Sequence, residues 1–186
     1  MARTLILGGA RSGKSTRAEQ LLLDHADVLY VATSGSRPDD AEWAQRVALH
    51  RERRPAGWRT AETCDLVAVL ADRDDPAPVL VDCLALWLTA VMDRADAWDD
   101  AAWATGAEAE VARHCAELAE AWRLTGRRVI AVSNEVGMGV VPATAAGRRF
   151  RDALGRLNMA LADESERVLL VVAGQVLAIR DTGRPD

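Results

Sequence analysis

Gly8-Gly9-Ala10-Arg11-Ser12-Gly13-Lys14-Ser15 matches the phosphate-binding pattern G-x-x-x-x-G-K-[ST] at every position. Ahead of it runs Thr4-Leu5-Ile6-Leu7, a short apolar run of the kind that makes a buried parallel strand. Behind it, Thr16 to Leu23 is rich in helix formers with apolar residues at helical spacing. Strand, glycine loop and helix are what anion binding needs. Glycines let the backbone approach a polyphosphate, and successive amide N–H groups converge at a helix N-terminus, where the dipole favours negative charge. In this pattern Lys14 reaches the terminal phosphates and the Ser15 hydroxyl serves Mg2+. Lys14 is also the only lysine in the chain. An ammonium on a flexible stem has been kept at the one position where a guanidinium does not substitute for it.

The rest of the chain alternates strand and helix. Asp27–Thr33 reads as a second buried strand ending in the small polar run Thr33-Ser34-Gly35-Ser36. Open α/β sheets bind ligands at that kind of edge. Ala41 to about Arg53 is predicted to be a helix, capped by Asp39 or Asp40 and stopped at Pro55. Trp58–Glu62 is extended, and Leu66–Leu70 is helical. Pro78-Val79-Leu80-Val81-Asp82 is a third buried strand, followed by an apolar helix from Cys83 to Met92. Ala101–Leu124 reads as one long helix, in which His114, Trp103 and Trp122 serve packing or a solvated face. Arg128–Ser133 is a fourth strand, opening into the glycine-spaced loop Asn134–Pro142. Thr144–Asp163 is a helix, Arg167–Ala173 a fifth strand, and Gly174-Gln175 turns the chain into Val176–Ile179. The pattern predicts one domain over residues 1–186 with an α/β fold. Its sheet is phosphate-loop (P-loop) NTPase-like, doubly wound and mostly parallel, with an antiparallel C-terminal edge strand.

Composition narrows the partners. A net charge of −5 argues against nucleic acid, which wants a basic face. Cys64, Cys83 and Cys115 are scattered and read as reduced thiols, without metal-site spacing. The longest apolar run, Val79–Met92, contains Asp82 and is too short to span a bilayer. The first strand follows directly on the first residues, so no signal peptide and a cytoplasmic location are expected.

Two further positions carry chemistry. Asp82 ends an apolar strand, as does the carboxylate that holds the Mg2+ shell in the second NTPase motif. The same residue in that place would also cap the following helix. His50 has Arg46 a turn before it and Arg53 and Arg54 about a turn after. Neighbouring cations disfavour an imidazolium, which predicts a neutral, nucleophilic ring beside arginines able to hold a phosphate. The spacing describes equally well a histidine on a solvated arginine-rich helix.

Beyond these motifs the chain resembles the bifunctional adenosylcobinamide kinase/adenosylcobinamide-phosphate guanylyltransferases of cobalamin biosynthesis. The likeness rests on Gly8–Ser15, on Tyr30-Val31-Ala32-Thr33-Ser34, and on His50 with Arg54-Pro55, Trp58, Thr60 and Glu62. It continues through Val81-Asp82-Cys83-Leu84, Leu86-Trp87, Ser133–Pro142, Phe150-Arg151-Asp152, Gly155, Asn158 and Val171–Gly174. The Asn134–Pro142 loop and the His50–Glu62 spacing are its specific parts. The resemblance implies NTP-dependent phosphorylation of the adenosylcobinamide hydroxyl, followed by GMP transfer from GTP through a covalent guanylyl-histidine, here His50. It implies nucleotide contacts at Gly8, Gly9, Ala10, Arg11, Ser12, Gly13, Lys14, Ser15, Thr33, Ser34, Gly35, Arg51, Glu52, Arg53, Arg54, Glu62 and Asp82. It also implies Mg2+ at Ser15 and Asp82, GTP or ATP and adenosylcobinamide as substrates, and a homotrimer. A kinase acting through the phosphate loop alone, with His50 on the surface, and a nucleotide-gated regulatory protein are the alternatives that the motifs by themselves leave open.

Overall fold

The computed structural model describes residues 3–33 and 54–182. In chain order its elements are β1 (Arg3–Gly8), α1 (Lys14–Gln20), β2 (Leu29–Ala32), β3 (Arg59–Glu62), α2 (Leu66–Ala71), β4 (Val79–Asp82) and α3 (Leu84–Arg94). There follow α4 (Asp100–Ala102), a π-helical turn (Trp103–Ala107), α5 (Glu108–Leu124), β5 (Val129–Asn134), α6 (Ala145–Asp163), β6 (Arg167–Val172) and β7 (Gln175–Asp181). The strands form one sheet in the order β3-β2-β4-β5-β1-β6-β7. Every neighbouring pair is parallel except β6 and β7, which are antiparallel. This is the mostly parallel α/β sheet with an antiparallel C-terminal edge that the alternation predicts.

Side-chain alternation divides the core into two layers, because successive strand residues face opposite sides. Leu5, Leu7, Val79, Val81, Val129 and Ala131 face α2, α3, α5 and α6, packing against Leu84, Leu88, Met92, Trp122 and Leu154. Ile6, Tyr30, Leu80, Ile130 and Val132 face the other way, onto Ala18 and Leu22 of the α1 region and onto Trp58. Both faces of β1, β4 and β5 are covered, so these strands read as nearly continuous apolar runs.

Three local expectations are corrected. The helix expected over Ala101–Leu124 is broken by the π-helical turn, where Gly106 adopts φ 152°. Glycine disfavours a helix interior by about 1 kcal/mol relative to alanine and permits backbone that other residues avoid. α1 starts at Lys14 and ends at Gln20, and tighter turns (Leu22 N–H to Glu19 O, 3.0 Å; His25 N–H to Leu22 O, 3.0 Å) replace its expected last residues. The β6–β7 turn is Ala173-Gly174, not Gly174-Gln175, with φ 51° and 77°, the positive values of the tight hairpin turns that match strand twist. The helix predicted from Ala41 to Arg53 lies outside the described residues. Among the described residues no helix is long and apolar enough to cross a membrane.

Candidate active site at the C-terminal edge of the sheet

β1 ends at Gly8, and the loop that follows is held on three sides. A Cβ on Gly8 would meet Ser12 Oγ at 2.5 Å and the carbonyl oxygen of Val171 at 2.6 Å, so only glycine fits there. The Glu135 N–H donates to Gly8 O at 3.1 Å, and the Gly174 N–H donates to Ser12 O at 2.9 Å. The loops after β5 and β6 therefore clamp the turn after β1. Arg11 (φ 56°) and Gly13 (φ 95°) are left-handed, which curls the backbone before α1 begins. Gly9, Ala10 and Arg11 are exposed along the rim, and Ser15 is half-buried in the first turn of α1. Lys14 is buried, and its ammonium donates to the Gly9 carbonyl at 3.0 Å. Ser12 Oγ is buried without a hydrogen-bond partner among the described residues.

Asp82 ends β4, which is two strands away from β1 because β5 runs between them. At about 4.8 Å per strand this sets the two backbones about 10 Å apart. Side chains from both sides still converge on the same edge. Burial foremost pushes the Cys83 thiol up to about 11, with Asp82 raising it further and Lys14 opposing, so both charges act on one sulfur. Across the edge, Glu62 of β3, Ala32 of β2 and Asp82 of β4 stand in register. Glu62 is exposed and Asp82 half-buried.

Around Asp82 the contacts are specific. The Tyr30 hydroxyl donates to Asp82 Oδ2 at 3.1 Å. Above the Tyr30 ring, 3.6 Å from its centroid, lies the guanidinium carbon of Arg54, which also donates to Thr60 Oγ1 at 3.2 Å. Thr33 is fully buried. Its hydroxyl accepts from the Cys83 N–H at 3.0 Å and donates to the Cys83 carbonyl at 2.6 Å. Thr33 thus fixes the chain where it leaves β4. The loop after β5 is fastened at both ends. Asn158 donates to Asn134 O at 3.0 Å, and Arg148 donates to the carbonyls of Pro142 (3.0 Å) and Ala143 (2.8 Å). Its middle exposes Met138, Val140 and Val141.

The structure therefore brings together Gly8–Ser15, Asp82 and Thr33, with Glu62 and Arg54 further along the same edge. His50, Ser34, Gly35, Arg51, Glu52 and Arg53 lie outside the described residues, as does Arg46. The position of Tyr30 against Asp82 escaped the motif reading. The available signal was that Tyr30 is the chain's sole tyrosine, set in an aliphatic strand. No group of three or more His, Cys, Asp or Glu side chains is gathered for a metal among the described residues. What is present, a hydroxyl at Ser15 and a carboxylate at Asp82, is a sparse oxygen set. That suits Mg2+, which keeps waters and substrate phosphates as its other ligands.

A family model for cobinamide kinase / cobinamide phosphate guanyltransferase matches residues 4–179. The chain is 44% identical over 181 residues to the bifunctional adenosylcobalamin biosynthesis protein CobP of Pseudomonas aeruginosa, covering 96% of this chain and 97% of that protein. It is 40% identical to the bifunctional adenosylcobalamin biosynthesis protein CobU of Escherichia coli and 39% identical to that of Salmonella typhimurium, each over 91% of this chain and 95% of the relative. Among solved structures, an ATPase from the type III secretion system of pathogenic bacteria superposes with a TM-score of 0.49 at 13% identity, over 91% of this chain and 50% of that one.

Proposed function

This chain belongs to the cobinamide kinase / cobinamide phosphate guanyltransferase family, and we propose that it performs both reactions with the edge described above, the second through a covalent guanylyl-histidine at His50. The observation that carries this reading is the phosphate loop itself: glycine-curled, clamped by two neighbouring loops, and holding the chain's single lysine.

In the kinase step the acceptor's hydroxyl oxygen attacks the terminal phosphorus of the NTP. The new O–P bond forms as the bond to the leaving NDP oxygen breaks, and the hydroxyl proton passes to solvent. Such transfer needs positioning and charge stabilisation more than covalent help. The loop amides and Lys14 supply these, and Lys14 exchanges the Gly9 carbonyl for phosphate oxygen. Ser15 and Asp82 would hold Mg2+ together with the nucleotide, and the ion would supply charge neutralisation on the phosphates. Exposed Met138, Val140 and Val141, on the loop joined to the phosphate loop through the Glu135 N–H to Gly8 O bond, are the surface this reading gives to the bulk of the corrinoid acceptor.

In the transfer step a neutral imidazole nitrogen of His50 attacks the α-phosphorus of GTP and expels pyrophosphate. A phosphate oxygen of adenosylcobinamide phosphate then attacks the same phosphorus, breaking the P–N bond and giving adenosylcobinamide-GDP. Arg51, Glu52, Arg53, Arg54 and Glu62 are the residues this proposal gives the task of holding nucleotide during this step. A homotrimer and a cytoplasmic location complete the proposal, and sedimentation equilibrium checks the former. Incubation with GTP labelled at the α-phosphate is expected to leave acid-labile, base-stable label on the protein. His50→Ala is expected to lose that label and the transfer step, while His25→Ala and His114→Ala retain both. Normal guanylylation by His50→Ala would overturn His50 as the nucleophile, and loss of guanylylation in the unaltered chain would leave the kinase alone standing.

A further inference from the structure

Tyr30 fills a place that an aliphatic residue would fill more simply. It is 5% exposed, in a layer built otherwise from Ile6, Leu22, Leu80, Ile130 and Val132. Its ring carries a polar contact on each side: Asp82 Oδ2 at the hydroxyl and Arg54 on the face. The register explains the first contact. Tyr30 pairs with Leu80 and Ala32 with Asp82, so Tyr30 stands diagonal to Asp82 on the same face, within reach of a long side chain. The Asp82 carboxylate keeps its other oxygen, Oδ1, without a hydrogen bond from any described residue. Glu19 is the other charged group that bears on the ring.

We propose that Tyr30 is a positioning residue for the Asp82 carboxylate and the link through which the Arg54 end of the arginine segment acts on it. With Oδ2 held, the carboxylate cannot rotate, and Oδ1 is presented to the magnesium–nucleotide complex. Partners of this kind orient metal-site carboxylates, and their loss typically lowers metal affinity about 10–100-fold. The cation over the ring fixes the ring's plane, so a shift of Arg54 is felt at the carboxylate. The proposal rests on the reading that Asp82 serves the nucleotide-bound metal, and the test separates the two.

The measurement is Mn2+ binding to the full chain saturated with GDP, followed by electron paramagnetic resonance, beside the affinity for metal-free GDP. Tyr30→Phe keeps the ring, its volume and the Arg54 contact and removes only the hydroxyl. It is expected to weaken Mn2+ binding by about tenfold while metal-free GDP affinity and thermal stability stay near wild type. Arg54→Gln is expected to weaken Mn2+ binding less, by about two- to fivefold, and to lose that effect in the Tyr30→Phe background. Unchanged Mn2+ affinity in Tyr30→Phe, with Asp82→Asn strongly impaired, overturns the role of Tyr30 and leaves it a core filler. Equal Arg54→Gln effects in both backgrounds overturn the link. Unchanged Mn2+ affinity in Asp82→Asn overturns the assignment of Asp82 and the proposal with it.

Discussion

From Gly8 the chain enters a loop whose Ser12 and Lys14 are 8% and 7% exposed; from Asn134, on the neighbouring strand, it enters one whose Met138 and Val140 are 78% and 95% exposed. The two loops leave the same edge side by side, joined by the Glu135 N–H to the Gly8 carbonyl. One buries polar groups and presents backbone; the other pins its backbone at both ends and presents apolar side chains. The first arrangement suits a small anion of fixed shape, because amides and one ammonium recognise phosphate wherever it comes from. The second suits a large acceptor with apolar faces, because contiguous exposed apolar groups mark binding surfaces. Under the proposed function, nucleotide recognition falls to the β1 loop and acceptor recognition to the β5 loop.

The largest test of this division is Lys14→Ala. Losing one preorganised positive donor at a transferring phosphoryl group is expected to lower kinase turnover by about a thousandfold. Lys14→Arg is expected to fail as well, since a planar fork does not replace a point charge in a tight loop. Steady-state phosphorylation of the acceptor reads both. Near-normal turnover in Lys14→Ala would move the phosphate site elsewhere and dissolve the comparison.

A second test uses glycine against glycine. In Gly8→Ala the new methyl would overlap the Val171 carbonyl, which is backbone and cannot yield cheaply. Overpacking of this kind is expected to cost about 1–3 kcal/mol and to misplace the loop, so thermal stability and nucleotide affinity fall together. Gly139→Ala meets nothing within 4 Å and is expected to change neither. Equal sensitivity at both glycines in a denaturation series would show that the β5 loop is built as tightly as the phosphate loop.

Much of this was legible in the residues. The alternation of apolar runs with helical patterns gave the sheet its class, and Gly8–Ser15 needed only its flanks to be placed at a strand end. Asp82 was recognisable as the end of an apolar strand, but its distance from β1 was not: strand order depends on which runs pair, and β5, the strand inserted between, lies far along the chain. Thr33 illustrates a different limit. Its position at a strand end places it at the ligand-binding edge, but its side chain is fully buried and its hydroxyl is spent on both polar groups of Cys83. A side chain that bonds to a residue 50 positions away leaves no local pattern. The break at Gly106 has no strong local signal, because the surrounding alanines and glutamates favour helix and a single glycine disfavours it by only about 1 kcal/mol.

The smallest expected effect is the most discriminating for the acceptor loop. Met138→Ser combined with Val140→Ser removes two exposed apolar side chains and leaves the loop's fastenings, Asn158 to Asn134 O and Arg148 to Pro142 O and Ala143 O, untouched. Exposed side chains contribute little to folding, so stability is expected to stay within about 0.5 kcal/mol of wild type. If these groups cover an apolar acceptor, losing part of their burial is expected to raise KM for adenosylcobinamide by roughly tenfold, a fraction of what full burial of two such side chains would contribute. The kinase kcat at saturating acceptor is expected to hold, since uniform binding is lost without loss of transition-state contacts. Labelling of the protein by GTP alone requires no acceptor and is expected to stay unchanged, which separates this loop from the nucleotide machinery. An unchanged KM accompanied by a smaller mass in sedimentation would instead show that Met138 and Val140 face another copy of the chain, and the acceptor would have to be sought on a different part of the edge.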